Sequence, residues 1–259
     1  MQIHTLASGS SGNSTLISGN GSHVLLDAGI SCRKITTRLA QAGLSALDLS
    51  GLLITHTHSD HICGVTVLAK RCQLPIYLSS AAADDLIQRI PGLDEKLIHV
   101  VSPGQTFQVG GMHVRAFSTP HDAPGSMGYR FEADDKRAAV VTDLGYLSDS
   151  VIEALTDIDL ALVEANHDVD WLRTGPYPYY LQQRVLGKYG HLSNELCGQL
   201  AVHLARTGAS KLILAHLSAE NNSPQRAWET VSSMLWEAEC RDTKLFVAPR
   251  DELSGPYAV

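Results

Sequence analysis

The run Thr55–His61, THTHSDH, places three histidines and an aspartate within seven residues, directly behind the apolar segment GLLI. His56 and His58 stand two apart, so on extended chain both project to the same side, while Asp60 and His61 follow where a strand turns toward helix. Four metal-grade side chains therefore converge on one turn. A mononuclear site needs only three or four protein ligands, so this run nearly saturates one cation and supports two if other loops contribute. The bland alternative is a solvated polar loop, and the rest of the chain decides between them.

Further ligand-type residues recur where apolar runs stop. AFSTPH ends at His121, AAVVTD at Asp143 and LILAH at His216. Active sites of layered α/β folds lie along one edge, at the ends of strands, so residues far apart in the chain are expected to meet there. An aspartate at a strand end is also a common turn former, which is the competing explanation for Asp143 alone. Asp27, closing HVLLDA, is read the same two ways.

The intervening chain alternates strand and helix patterns. Residues 3–7, 14–19 and 23–28 read as a strand meander, with the polar loop Ser8–Asn13 between the first two. Residues 32–43 carry helical spacing of Ile35, Leu39 and Ala42, and 49–55 reads as a buried strand. A helix around 62–72, a strand at 75–79, a helix over 80–90 and a strand at 96–101 follow. Hairpins are expected at the glycine pair 110–111 and at Asp134–Asp135, with a further strand over 159–165. Ser193 caps a helix ending at Gly208, then come a strand at 211–216 and a helix at 224–240. Two β-rich halves with helices between them predict sheet packed on sheet with helices outside, in one α/β domain spanning 1–259.

Composition bounds the partners. A formal net charge of −7 over 259 residues opposes general nucleic-acid affinity, so any basic surface must be local. Clustered carboxylates and histidines at a metal centre inflate that negative count, because the cation is not in the sum. No basic leader precedes an apolar core and no run approaches the roughly 18 apolar residues of a membrane span, so export and anchoring are not expected. Five cysteines without a CxxC pair fit reduced thiols in a cytoplasm.

HTHSDH, then His121, Asp143 and His216, with LLDAG ahead of them, resembles the metallo-β-lactamase superfamily over nearly the whole chain. The resemblance implies an αββα sandwich with two divalent metal ions, Zn, Mn or Fe: His56, His58 and His121 on one, Asp60, His61 and His216 on the other, Asp143 between them. It also implies hydrolysis by a metal-bridging hydroxide, with Asp60 in the catalytic set. Asp27, Asn13 and, more weakly, His167 and Asn166 would orient the ligands through hydrogen bonds.

STPHDAPGSMGYRF around His121, and GHLSN upstream of His216, resemble the phosphodiesterase branch, which includes tRNase Z-like enzymes. There a histidine in the place of His191 contacts the phosphate and protonates the leaving oxygen, oriented by an acidic residue that Glu164 matches. GSSGNS, LLDAG, VEANHD and GPYPYYLQQRVLGKYGHLSN together resemble the YycJ/WalJ family of bacterial cytoplasmic proteins. That likeness implies a DNA 5′ exonuclease, with DNA-repair proteins as partners and DNA favoured over RNA. Asn194, Arg130, Arg173 and Tyr177 are the substrate-binding candidates. The aromatic and basic segment 171–188 either stacks bases or packs on the core. Alternatives are a small-molecule phosphodiesterase acting on nucleotides or cyclic esters, a thioesterase or single-iron dioxygenase, and a non-catalytic metal-stabilised nucleic-acid-binding protein.

Overall fold

A computed structural model describes residues 1–259. The N-terminal meander forms as β1 (Gln2–Ala7), β2 (Ser14–Gly19) and β3 (Ser22–Leu26), each antiparallel to the next. Next to β3, β4 (Leu49–Leu53), β5 (Ile76–Leu78) and β6 (Ile98–Val100) add in parallel. At the other edge, β14 (Ser254–Ala258) pairs with β1. The second sheet contains β7 (Thr106–Val109), β8 (Met112–Ser118), β9 (Met127–Ala133), β10 (Lys136–Val141), β11 (Leu160–Glu164), β12 (Lys211–Ala215) and β13 (Lys244–Val247), adjacent in that order. Asp134 and Asp135 both adopt φ of 53°, the left-handed pair that a two-residue hairpin requires.

Strand alternation sorts the apolar side chains into three cores. Val140, Leu162 and Ile213 point between the sheets and meet Val24, Leu26 and Leu53 of the first sheet. Their neighbours Val141, Val163 and Leu214 point outward, under α5 (Asp149–Ala154), α8 (Asn194–Arg206) and α9 (Pro224–Glu237). Leu25, Leu52 and Ile54 likewise face α1 (Cys32–Gln41), α3 (Val65–Cys72) and α4 (Ser80–Arg89). The layers run helix, sheet, sheet, helix. Because both faces of these strands are covered, they read as continuous apolar runs rather than alternating ones. Each buried Val, Leu or Ile contributes about 1.5–3 kcal/mol, so these cores outweigh any single polar contact in holding the strand ends together.

The helix expected around 62–72 is two, α2 (Ser59–Ile62) and α3, separated at Gly64. A Cβ at Gly64 would lie 2.4 Å from the Ile30 carbonyl, so the loop after β3 passes where a longer helix would need side-chain room. Helices α6 (Val169–Thr174) and α7 (Tyr179–Leu186) and strands β13 and β14 lie in stretches without a clear sequence pattern. α7 fully buries none of its residues, so its short apolar pair Leu181 and Val185 is a weak signal to read.

Arg38 of α1 ties these ends together. Its guanidinium donates to the Leu6 carbonyl of β1 at 2.5 Å and to the Asp251 carbonyl and carboxylate, and only a tenth of the side chain is exposed. Arg38→Ala strands the buried Leu6 carbonyl, an expected loss of about 1–3 kcal/mol. Urea unfolding checks it: the midpoint should fall while the m-value stays constant.

Candidate metal centre

Three of the four strand-end residues that meet at the sheet edge turn out of their strands in the same way. Asp27, Asp143 and His216 have φ of 59°, 60° and 55°, a left-handed conformation that costs a side-chain-bearing residue about 1–3 kcal/mol. The turn swings each side chain from the strand axis toward the loop Thr55–His61. There His58 caps α2, so Asp60 and His61 project from its first turn. The close approach needs Gly29, where a Cβ would sit 1.6 Å from the Asp60 carbonyl oxygen.

Seven side chains converge as three overlapping groups of donors: His56, His58 and His121; Asp60, His61 and His216; and Asp143 with His56 and His61; a fourth group joins Asp143 and His216 to Glu164 and His191. His56 Nε2 and His121 Nε2 lie 3.1 and 3.3 Å from His58 Nδ1. Asp143 Oδ1 is 3.2 Å from His216 Nε2, and its Oδ2 is 3.3 Å from His61 Nε2.

Surrounding groups set which nitrogen of each ring faces inward. His61 Nδ1 donates to Asp27 Oδ2 at 2.7 Å, and Asp27 also accepts from the Thr55 amide and hydroxyl. With its one proton committed to Asp27, the Thr55 hydroxyl accepts from His56 Nδ1 at 3.0 Å. His121 Nδ1 donates to the Gly190 carbonyl at 3.2 Å, and His216 Nδ1 to Asn13 Oδ1 at 3.0 Å. Four rings thus hold their outer proton on a fixed partner and turn the Nε2 lone pair inward, the arrangement that metal-ligating histidines need.

The donor set fits divalent cations on the structure's own terms. Asp143 Oδ2 is buried without a hydrogen-bond donor, and imidazole nitrogens of His56 and His121 face His58 Nδ1 within 3.1 and 3.3 Å. Such a cluster is costly unless a cation or protons satisfy it. In the bare protein, protons partly do so. Burial opposes charge on His61, yet Asp27 and Asp143 push its pKa up to about 10. Burial likewise opposes the Asp143 carboxylate, but the histidines around it hold its pKa well below the usual range.

Beside the seven stands His191, in the loop before α8. Its Nδ1 lies 2.7 Å from Glu164 Oε1, and the Glu164 Oε2 accepts from the Leu144 and Leu192 amides. Glu164 is wholly buried at the end of β11, whereas the His191 side chain remains 22% exposed. Burial opposes its charge, but Glu164 raises its pKa to about 9. A cavity of about 390 Å³ opens here, lined by His58, Asp60, Asp143, His191 and His216, with Tyr177 at its side.

Not every candidate comes to this cavity. Arg130, expected at a phosphate, donates instead to the Ala154 and Thr156 carbonyls and to Glu132, because mid-strand β9 faces the end of α5 rather than the sheet edge. Asn194, expected at the substrate, is fully buried and pairs with Asn222, a consequence of its place as first residue of α8. His167 is buried and makes no hydrogen bond to any of the seven donors; burial lowers its pKa to about 4. Arg173 lies exposed on α6 and does not line the cavity. Asn166 does, and donates to the His216 carbonyl. Tyr179, Tyr180 and Tyr189 are 75%, 74% and 61% exposed, so they do not pack on the core. Asp122 and Arg89 also line the cavity, with no motif in the sequence to single them out. The position of Asp122 next to His121 was the available signal.

Comparison with known proteins follows this geometry. The family described as "Beta-lactamase superfamily domain" matches residues 22–217, a span containing all seven donors. The chain belongs to the metallo-β-lactamase superfamily. It is 39% identical to "Exodeoxyribonuclease WalJ" of Streptococcus pneumoniae over 236 residues, 90% of this chain and 88% of that one. It is 37% identical to "Exodeoxyribonuclease YycJ" of Bacillus anthracis over 240 residues, 92% of this chain and 90% of that one, and so falls within the WalJ/YycJ family. The metallo-β-lactamase fold protein YhfI of Bacillus subtilis superposes with a TM-score of 0.74 at 17% identity, covering 98% of this chain and 100% of that one. The short form of human tRNase Z superposes with a TM-score of 0.66 at 17% identity over all of both chains. These two likenesses speak for the αββα superfamily fold, in which the two helix-flanked sheets place their strand ends around the donors.

Proposed function

We propose that this protein is a dinuclear metal-dependent phosphodiesterase acting on DNA as a 5′ exonuclease, with one domain spanning 1–259. The observation that carries the reading is a hydrogen-bonded His191–Glu164 pair beside a cluster of seven metal donors, of which His58, Asp60, Asp143 and His216 line the same cavity as His191. His56, His58 and His121 would hold one cation, Asp60, His61 and His216 the other, and Asp143 both. Two divalent cations in that set would supply hydroxide near neutral pH and offset charge developing on the phosphate oxygens.

The protein's own residues do the rest. Glu164 fixes the His191 ring, its Oε1 accepting from Nδ1–H, so Nε2 is left free to serve the cavity. An imidazolium there protonates the departing oxygen and neutralises it as the phosphorus–oxygen bond breaks. Asn13 supports the arrangement, since its Nδ2 lies 3.4 Å from Asp60 Oδ2 and 3.1 Å from His61 Nε2, while its Oδ1 receives His216. Tyr177 supplies a stacking surface at the cavity, worth about 1–3 kcal/mol per stacked base.

DNA is favoured over other phosphodiesters because the similar WalJ and YycJ proteins are named exodeoxyribonucleases. RNA is the second reading, since "Ribonuclease Z" of Mycobacterium sp. (strain KMS) is 29% identical over 235 residues. No helix of the chain is long and apolar enough to cross a membrane. We place the protein in the cytoplasm on its five unpaired cysteines, with DNA-repair proteins as its partners. Incubation of manganese- and zinc-loaded protein with 5′- and 3′-labelled DNA and RNA tests the reading. Stepwise shortening of DNA from its 5′ end is expected, and unchanged DNA beside hydrolysed small phosphodiesters would overturn it.

A further inference from the structure

This inference deepens the phosphodiesterase reading and rests on it. The only lysine or arginine side chains lining the cavity are Arg89, at the end of α4, and Arg184 of α7. Leu181, Arg184 and Val185 share one face of α7, because residues three and four apart lie together on a helix, and that face borders the cavity. Arg184 Nε donates to Asp122 Oδ2 at 2.6 Å, and Arg89 Nε to Asp85 Oδ2 at 2.6 Å. In both, the terminal nitrogens make no hydrogen bond within the chain. Arg38 and Arg130, by contrast, commit their terminal nitrogens to backbone carbonyls.

We propose that Arg184 and Arg89 form the phosphate-binding subsite of this cavity, gripping the polynucleotide phosphates that flank the one being cleaved, and that Asp122 and Asp85 are positioning residues that aim them. A guanidinium held through Nε presents its two terminal N–H groups as a preset fork, and that fork matches two phosphate oxygens. The carboxylates are themselves anchored to the histidine-rich turn. Asp85 accepts from the Thr57 hydroxyl, and Asp122 Oδ1 lies 3.4 Å from His121 Nε2 and 3.7 Å from His58 Nε2. The subsite is thereby registered to the donor cluster.

Electrostatics requires such a device. The cavity wall carries Asp60, Asp122 and Asp143, and the chain as a whole bears a charge of −7, so a polyanion is repelled except where local cations meet it. The arginine side chains are 58% and 48% exposed. Exposed ion pairs of this kind hold a side chain only weakly, so the carboxylates orient the forks without locking them away from a phosphate.

Steady-state kinetics of the metal-loaded protein on a single-stranded oligodeoxynucleotide and on bis(4-nitrophenyl) phosphate tests the proposal. Arg184→Ala should raise KM for the oligonucleotide about ten-fold more than for the small diester, which has no flanking phosphate. The slope of log KM against log salt should fall by about 0.7, one phosphate contact on a single strand. Arg184→Lys should restore the slope but only part of the KM, because an ammonium lacks the fork. Arg89→Ala should act in the same direction. Equal losses on both substrates, or an unaltered oligonucleotide KM and salt slope, would overturn it. Fluorescence anisotropy with a phosphorothioate-linked oligonucleotide separates the two layers. Binding that Arg184→Ala weakens ten-fold, with no cleavage of the ordinary phosphodiester oligonucleotide by the unaltered protein, would keep the subsite and sink the nuclease reading. Absence of both binding and cleavage would sink both.

Discussion

Asp143→Ala is expected to leave the protein folded, empty of both cations, and without phosphodiesterase activity. Asp143 Oδ1 faces His216 and Oδ2 faces His61, with Oδ1 also 3.9 Å from His121, so it is the one carboxylate adjacent to both donor groups. Its removal deletes the anionic centre around which four histidines converge. Activity should fall toward the uncatalysed rate, on the order of 10⁶-fold or more. The fold should persist because the strands that carry the site are held by apolar cores on both faces. Elemental analysis reads the metal content and thermal unfolding reads the fold. Retention of two equivalents of metal by the variant would remove Asp143 from the centre.

His191→Ala separates catalysis from metal binding. His191 stands at 3.6 Å from Asp143 Oδ1 and shares a donor group with Asp143, Glu164 and His216, but its Nδ1 is committed to Glu164 and the other three groups are complete without it. The variant should therefore keep both cations while kcat drops by about 10²–10⁴, the range of a single positioned proton donor. A diester with a good leaving group needs little protonation, so the loss should shrink as the leaving-group alcohol becomes more acidic. Equal losses across a leaving-group series would mean that His191 binds phosphate without donating a proton. Loss of metal would mean instead that it belongs to the centre.

The chemistry was legible in the sequence to the degree that it was local or periodic. HTHSDH is one turn, so its spacing alone announces convergent donors. Strand ends at His121, Asp143 and His216 can be read because covered strands are apolar on both faces and a polar residue then marks their end. Glu164 ends β11 by the same rule. The pairing of His191 with Glu164, 27 positions apart, came from family resemblance rather than pattern, and the tertiary structure brings them to 2.7 Å.

Arg130 and Asn194 mark the boundary. Residue type allowed Arg130 to meet a phosphate, but orientation within β9 sends it to the end of α5. Arg184 is the reverse case, a cation in a helix with only a weak apolar signal, whose role follows only from its place over the cavity. The sequence by itself determined which side chains are available to hold cations and that sheets would carry them to one edge, because ligand type and strand periodicity are local properties. Only the tertiary structure decided which nitrogen each ring presents, which carboxylate aims which guanidinium, and which polar residues are sealed in the core. Those outcomes depend on distances between segments remote along the chain, and such distances are set by packing.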